Sequence, residues 1–421
     1  MVVTGATASC KTAASSILHT LLPSSSLPTP RVVSVDAVQV FDGPSIGAAS
    51  PTQEELEATP TAGIGILPLS SLGSAGEVAA MAYDVVEKQL DAGAVPIVVG
   101  GSGLYVDWLV HGAQGDPKAC PQVRKEVEQE VGDNPEWKQW VDVAAKVMPM
   151  RTSRIEPNDW VKLRRLLEIV RQVGEPAAGR LDDGNAGRVS LGEALDADVR
   201  VINLYWPRMA HLRAVDARVE DMFAQGLLPE IIDLYAGSHV SPSYAGSPLN
   251  LSHTGPPLTG RSHPVARAIG YAQTIPFLAE MAADPGARSD TGWARRLLKV
   301  VRDVQAKSRQ LTRKQNRWFS NPSTLWVPLE GRPLPDVAQQ VARLVVDTPR
   351  DEFDLLLEQQ EPVWKASPDE LAQLRTYIPE YKMFDKLETG AMFAQAAKNR
   401  IKAVDAALDA SGAPALATLM S

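Results

Sequence analysis

The chain has 421 residues, 44% hydrophobic and 22% charged, with a formal net charge of −8. That is the balance of a water-soluble globular protein large enough for two or three domains. Two cysteines exclude a disulfide framework and a four-cysteine zinc site, and the six histidines are scattered without metal-ligand spacing. No uncharged apolar run reaches the roughly 18 residues of a membrane span, so no membrane association is expected. The acidic balance argues weakly against nucleic acid as a partner, but residues 295–317 carry nine Lys or Arg against the single acid Asp303. Such a segment is either a solvated helix face or a phosphodiester-binding surface.

In chain order, "MVVTG" predicts a short strand running directly into the loop "GATASCKT" and a helix. The opening therefore reads as a strand rather than as a signal peptide; because it is short for a buried strand, either the start is truncated or a targeting segment lies outside this sequence. "RVVSVDAVQVF" predicts a second strand, and "SAGEVAAMAYDVVEKQLDAG" an amphipathic helix ended by Gly93. "VPIVVGG" is the uncharged, β-branched pattern of a strand buried on both faces. Alternating strands and helices imply an α/β fold with a parallel sheet, residues 1–117 forming its first part.

From Pro117 the pattern turns helical. "NDWVKLRRLLEIVRQVG" has an acid at its start, Asp159, and Gly174 past its end. Residues 118–198 are expected to be a helical insertion domain. "ADVRVINLYWP" resumes the core over 199–347, where 239–264 is a Pro/Gly-rich loop expected to be mobile. Residues 348–421 form an acidic, helix-prone extension without a chemical motif.

In parallel sheets ligands bind at the carboxyl ends of strands. The octet Gly5–Thr12 stands at one such end and nearly matches G-x-x-x-x-G-K-[ST], in which loop amides and the following helix hold phosphate oxygens. Lys11 would neutralise phosphate, and Thr12 would hold Mg²⁺. Cys10 occupies the place of the second glycine, so the pattern alone does not exclude an ordinary strand-to-helix turn that contains a lysine. Asp36 ends the second strand, and Ser102 follows a glycine pair after another. Together with Lys11 they offer a base, a phosphate grip and a hydroxyl donor at one sheet edge.

Seven segments in order, "GATASCKT", "VDAVQVFDGPSIGAASPT", "PIVVGGSGLYVDWLV", "RIEPNDWVKLRRLLEI", "VEDMFAQGLLPEI", "ARAIGYAQ" and "SRQLTRKQNRWF", resemble those of tRNA dimethylallyltransferases, also called tRNA isopentenyltransferases. The resemblance covers roughly residues 1–330. The insertion and tail are most similar to the plant and algal branch, without the Cys-Cys-His-His finger of some eukaryotic members. It implies a P-loop-type core that binds dimethylallyl diphosphate as co-substrate with Mg²⁺, and a tRNA anticodon stem-loop as partner. It further implies roles: Gly5, Ala6, Thr7, Ala8, Ser9, Cys10, Lys11 and Thr12 around the diphosphate, with Mg²⁺ near Thr12. Asp36 would act as base toward an adenosine amine, Ser102 would hydrogen-bond the bridging oxygen, and Arg267 would stand near the diphosphate. The helical insertion 118–198 and the basic helix 295–317 would grip the anticodon stem-loop, with Gln39, Arg309, Arg313, Lys314 and Gln315 contacting tRNA. A monomer in the cytoplasm or an organelle is expected.

The chain departs from the family at several places. Cys10 replaces a glycine that is required either for positive φ or for clearance. Ser50 stands where a lysine is usual, Ala272 where an arginine is, and Ala62–Gly65 lack the family's His-His-Leu-Ile-Asp. Three other readings stay open: a prenyltransferase for free adenine nucleotides, a small-molecule kinase, and an inactive tRNA-binding paralogue, the last of which these losses support.

Overall fold

The computed structural model describes residues 1–22, 28–112, 119–132, 135–182, 188–237, 258, 263–361, 367–379 and 382–420. Six strands form one parallel sheet: β1 (Val2–Thr4), β2 (Val32–Ser34), β3 (Thr61–Ala62), β4 (Ile97–Gly100), β5 (Val201–Tyr205) and β6 (Thr324–Pro328), in the order β3-β2-β4-β1-β5-β6. Every residue of β1, β2 and β4 is buried, which is why these strands read as unbroken apolar runs rather than as alternation. The helices Lys11–Leu21 and Leu334–Val346 close one core against the sheet through Ala14, Leu18, Val337 and Val341.

The second strand is shorter than the expected 31–41. The chain turns at Asp36, whose Oδ1 accepts the N–H groups of Val38 (2.9 Å) and Gln39 (3.3 Å). This local carboxylate turn outcompetes continued pairing, and Phe41 keeps only an isolated bridge to Leu67. The helix Ala75–Asp91 is capped by Ser74 and ends before Gly93, at φ +75°.

The chain divides into two compact units, Met1–Val106 with Asp198–Ser421, and Asp107–Ala197. The latter is helical and has cores of its own: Val127, Val131, Ala144, Leu163 and Leu167 in one cluster, Met148, Leu166, Ile169 and Ala178 in another. Its helix Trp160–Val173 is capped by Asp159 and stops at Gly174, at φ +80°. The basic segment lies in the 29-residue helix Asp290–Trp318. Trp293, Leu297, Val301, Val304, Ser308 and Thr312 recur at three- and four-residue steps and are buried, so the cations take the opposite face.

The tail belongs to the first unit. Glu220, buried in the helix Arg208–Gln225, accepts the backbone N–H groups of Lys382, Met383 and Phe384 at 2.8, 3.1 and 3.2 Å. The loop expected at 239–264 falls, apart from Leu258, His263 and Pro264, outside the described residues.

Candidate active site

The strand order makes β2, β4 and β1 neighbours, so the loops at their carboxyl ends converge. Thr7, Lys11, Thr12, Asp36 and Ser102 line one cleft of about 500 Å³. The Ala37 N–H donates to Ser102 Oγ at 3.2 Å, tying the Asp36 turn to the β4 turn. Among the described residues, four cations, Lys11, Arg218, Arg267 and Lys314, face this cleft against the one carboxylate Asp36. Such an imbalance suits a polyanion. An adjoining cavity of about 540 Å³ is lined by Ala8–Ala13 and shares Lys11, Thr12, Arg218 and Met222 with the cleft.

The 5–12 loop is shaped by packing as well as by ligand needs. A Cβ on Gly5 would stand 2.2 Å from Ser9 Oγ and 2.7 Å from the Leu204 carbonyl. Ser9 itself is fully buried. Lys11 Nζ donates to the Ala6 carbonyl at 2.9 Å. Burial, then the Arg218 charge, pulls its ammonium down to about 8, with Asp36 opposing. His211, buried behind the loop, lies with Nε2 2.7 Å from the Thr7 carbonyl and donates to it. Burial keeps this imidazole below its usual range.

Cys10 sits at φ 57°, ψ 21° as the helix N-cap, makes no side-chain capping bond and is exposed. Of the two costs expected at this position, backbone strain is therefore present. Cys10→Gly should relieve roughly 1–2 kcal/mol of left-handed strain, less the roughly 0.5–1 kcal/mol of added chain entropy. The variant is expected to melt slightly higher and to bind diphosphate more tightly; weaker binding by calorimetry would show that the thiol itself helps.

The glycines after β4 admit other parts of the chain. A Cβ on Gly100 would meet the Val35 carbonyl at 2.8 Å, and one on Gly103 the Trp318 indole at 2.4 Å. Gln315 fills the place beside Gly101: its Nε2 donates to the Gly101 carbonyl (2.8 Å), and its Oε1 accepts the Thr7 N–H (2.9 Å). Gln315, expected to touch tRNA, thus bridges two loops of the cleft. Gln39, with the same expectation, accepts from Ser34 Oγ (2.8 Å) and donates to the Ala48 and Ala49 carbonyls (3.2 and 3.0 Å). Arg309 lies away from the cleft lining, paired with the buried Asp216 and stacked 5.6 Å from the Tyr377 ring. Arg313 and Lys314 are exposed. Arg267, in the turn Pro264–Arg267, is exposed and lines the cleft.

Three residues escaped the sequence reading. Arg218 directly precedes "VEDMFAQG", where only its three- and four-residue spacings from Val215 and Met222 hinted at a shared helix face. His211 carried no signal. Glu230, wholly buried, accepts from Ser45 N–H (3.1 Å), Ser45 Oγ (2.8 Å), Ile46 N–H (2.6 Å), Gly47 N–H (3.0 Å) and Tyr271 Oη (2.6 Å). It anchors the loop that carries Gly47–Ala49 into the cleft. Gly47 has to be glycine, because a Cβ would lie 2.4 Å from the Tyr271 ring. Ser50, at the family's lysine position, is buried in the same loop and donates to the Pro44 carbonyl.

The described residues hold no helix long and apolar enough to cross a membrane, and no cluster of three or more His, Cys, Asp or Glu placed to hold a metal ion. Thr12 offers a hydroxyl at the cleft. That donor set fits Mg²⁺, which commonly takes few protein ligands and completes its shell with water and substrate phosphates.

A protein-family model described as IPP transferase matches residues 39–322. The tRNA dimethylallyltransferase 9 of Arabidopsis thaliana is 29% identical over 340 residues, covering 73% of this chain and 68% of the relative. The tRNA dimethylallyltransferase of Cupriavidus taiwanensis is 31% identical over 275 residues, covering 65% of this chain and 77% of the relative. In fold, a solved eukaryotic dimethylallyltransferase acting on tRNA aligns with a TM-score of 0.61 at 19% identity, over 89% of this chain and 83% of that one. The 5–12 loop and Asp36 lie upstream of the family-model match, yet they enter the same cleft as Ser102, Arg218 and Arg267 within it. This chain belongs to the IPP transferase family.

Proposed function

We propose that this protein transfers a dimethylallyl group from dimethylallyl diphosphate to the exocyclic N6 amine of the adenosine 3′ to the anticodon in tRNA, releasing diphosphate. The observation that carries the reading is the placing of Lys11, Asp36 and Ser102 on one cleft, with Arg218 and Arg267 around it. The amine nitrogen attacks the first carbon of the dimethylallyl group, and the carbon–oxygen bond breaks with its electron pair passing to diphosphate. An adenine amine is a poor base, so its proton leaves during or after attack, to Asp36. Lys11, Arg218 and Arg267 hold the charge that grows on the departing diphosphate, and Ser102 donates to its bridging oxygen. Thr12 would hold Mg²⁺, which when bound would neutralise part of that charge.

The target base has to leave its stack to reach the ends of the strands. Arg313, Lys314 and Arg317, exposed on the Asp290–Trp318 helix, are placed for phosphate contacts, which orient RNA without reading its sequence. Gln39 and Gln315 line the cleft and would meet the RNA there while bracing its loops, and Arg309 would act through its pairing with Asp216.

The direct test is incubation with dimethylallyl diphosphate, Mg²⁺ and unmodified tRNA, followed by mass analysis of the nucleosides. Prenylated adenosine supports the reading. Product from AMP but not from tRNA would instead make this a free-nucleotide enzyme, and intact tRNA binding without product an inactive paralogue.

Lys11 gives the reaction a pH signature. Its ammonium, depressed to about 8, is needed charged to hold diphosphate. Affinity is therefore expected to fall as pH rises above 8, and binding there should take up protons, seen as buffer-dependent heats in calorimetry. For the unliganded protein the sign is opposite. The native state loses this proton before the unfolded chain does, so the Lys11 contribution to stability rises between about pH 8 and 10.5. A Lys11→Met variant should lose both slopes.

A further inference from the structure

Trp318 ends the basic helix with its side chain at the mouth of the cleft. It is 48% exposed, although large aromatic rings usually bury most of their surface. One part of the indole is held by the backbone of Gly103, where even a Cβ would stand 2.4 Å from Trp318 Cγ and Cδ1. Gly103 follows Ser102, so the indole is fixed beside the hydroxyl assigned to the leaving group. Lys314, one turn earlier on the same helix, faces the same cleft, and Arg317 is exposed beside the indole.

An exposed aromatic ring braced from behind and accompanied by cations is how proteins hold unpaired nucleotides, because every base offers a π-face. We propose that Trp318 is a stacking platform for an unpaired nucleotide next to the target adenosine. It would receive the neighbour exposed when the target base swings into the cleft. The proposal rests on the RNA-modifying reading above and adds to it a second base-binding position. Gly103 supports it by leaving room for the ring.

The test uses an anticodon stem-loop with 2-aminopurine beside the target adenosine, and the full-length protein. Wild type and Trp318→Phe should quench 2-aminopurine fluorescence on binding, while Trp318→Leu, which retains apolar packing without a ring, should not. Trp318→Leu should raise KM for the stem-loop roughly 5- to 100-fold, with recovery in Trp318→Phe and unchanged affinity for dimethylallyl diphosphate. Gly103→Ala, which displaces the ring without removing it, should weaken quenching as well. Equal quenching by Trp318→Leu and wild type would overturn the proposal, as would a defect confined to diphosphate affinity. If the wild type prenylates no RNA at all, the underlying functional reading fails instead, and that outcome is read in a separate assay.

Discussion

Asp36→Asn is expected to lower kcat by roughly 10²–10⁴-fold, the usual contribution of a positioned general base. Asparagine is the informative substitution because its side-chain oxygen can still accept from Val38 and Gln39, so the turn that ends β2 survives. What disappears is the proton acceptor and a negative charge. Asp36 is the carboxylate among the cleft's charged groups and works electrostatically on both Lys11 and Arg218. Its removal also takes away the charge that holds Lys11 up, so the comparison is made below pH 7, where Lys11 stays charged and diphosphate should bind as tightly as before or more tightly. Lost turnover with retained or improved diphosphate affinity separates a missing base from a collapsed site. Wild-type kcat in Asp36→Asn would remove this residue from the chemistry, and weaker diphosphate binding would mean that the turn had failed.

Glu230→Ala is expected to destabilise the protein by on the order of 3 kcal/mol or more. A charged acceptor leaves the interior and its donors lose their partner, a loss that costs about 1–3 kcal/mol even for a single unmet group. Here the donors are three backbone amides of Ser45, Ile46 and Gly47, the Ser45 hydroxyl and the Tyr271 hydroxyl. The amides belong to one tight loop, so they cannot find new partners without unmaking it. Because Gly47, Ala48 and Ala49 line the cleft, kcat/KM should fall with stability. Glu230→Gln should be intermediate, since one of its two acceptor oxygens becomes a donor pointed at donors. Denaturant unfolding followed by circular dichroism measures the first effect. A Glu230→Ala protein as stable as wild type would show that the loop is held by packing alone.

Parts of this arrangement were legible beforehand. The β-branched runs at Val2–Val3 and Ile97–Val99 are buried as continuous apolar strands should be, and Asp159, Gly93 and Gly174 mark helix ends as their side chains or lack of one require. Lys11, Asp36 and Ser102 could be singled out because each follows a strand. Less legible was why particular residues recur. The glycines of "GGSG" carry no mark of their use in sequence; Gly100 and Gly103 admit Val35 and Trp318 of the chain itself. Gln39, Gln315 and Arg309, expected at RNA, also bond within the chain: Gln39 to Ser34, Gln315 to Thr7 and Gly101, Arg309 to Asp216. A polar side chain looks the same in sequence whether its partner is a phosphate or a carbonyl hundreds of residues away, as for Gln315 and Gly101.

From its sequence alone, then, the chain declares a parallel α/β core, a helical stretch between two parts of that core, a basic helix and a phosphate-type loop with one misfit residue. These follow from local rules of periodicity, capping and backbone freedom that neighbouring residues settle among themselves. The tertiary structure decided which strands adjoin, and so that the loops after β1, β2 and β4 share a cleft. It also decided that Arg218 joins them, that Glu230 holds the 45–47 loop, and that Arg309 turns to Asp216. Charge pairing and burial depend on distances across the fold, and a linear sequence carries no record of distance.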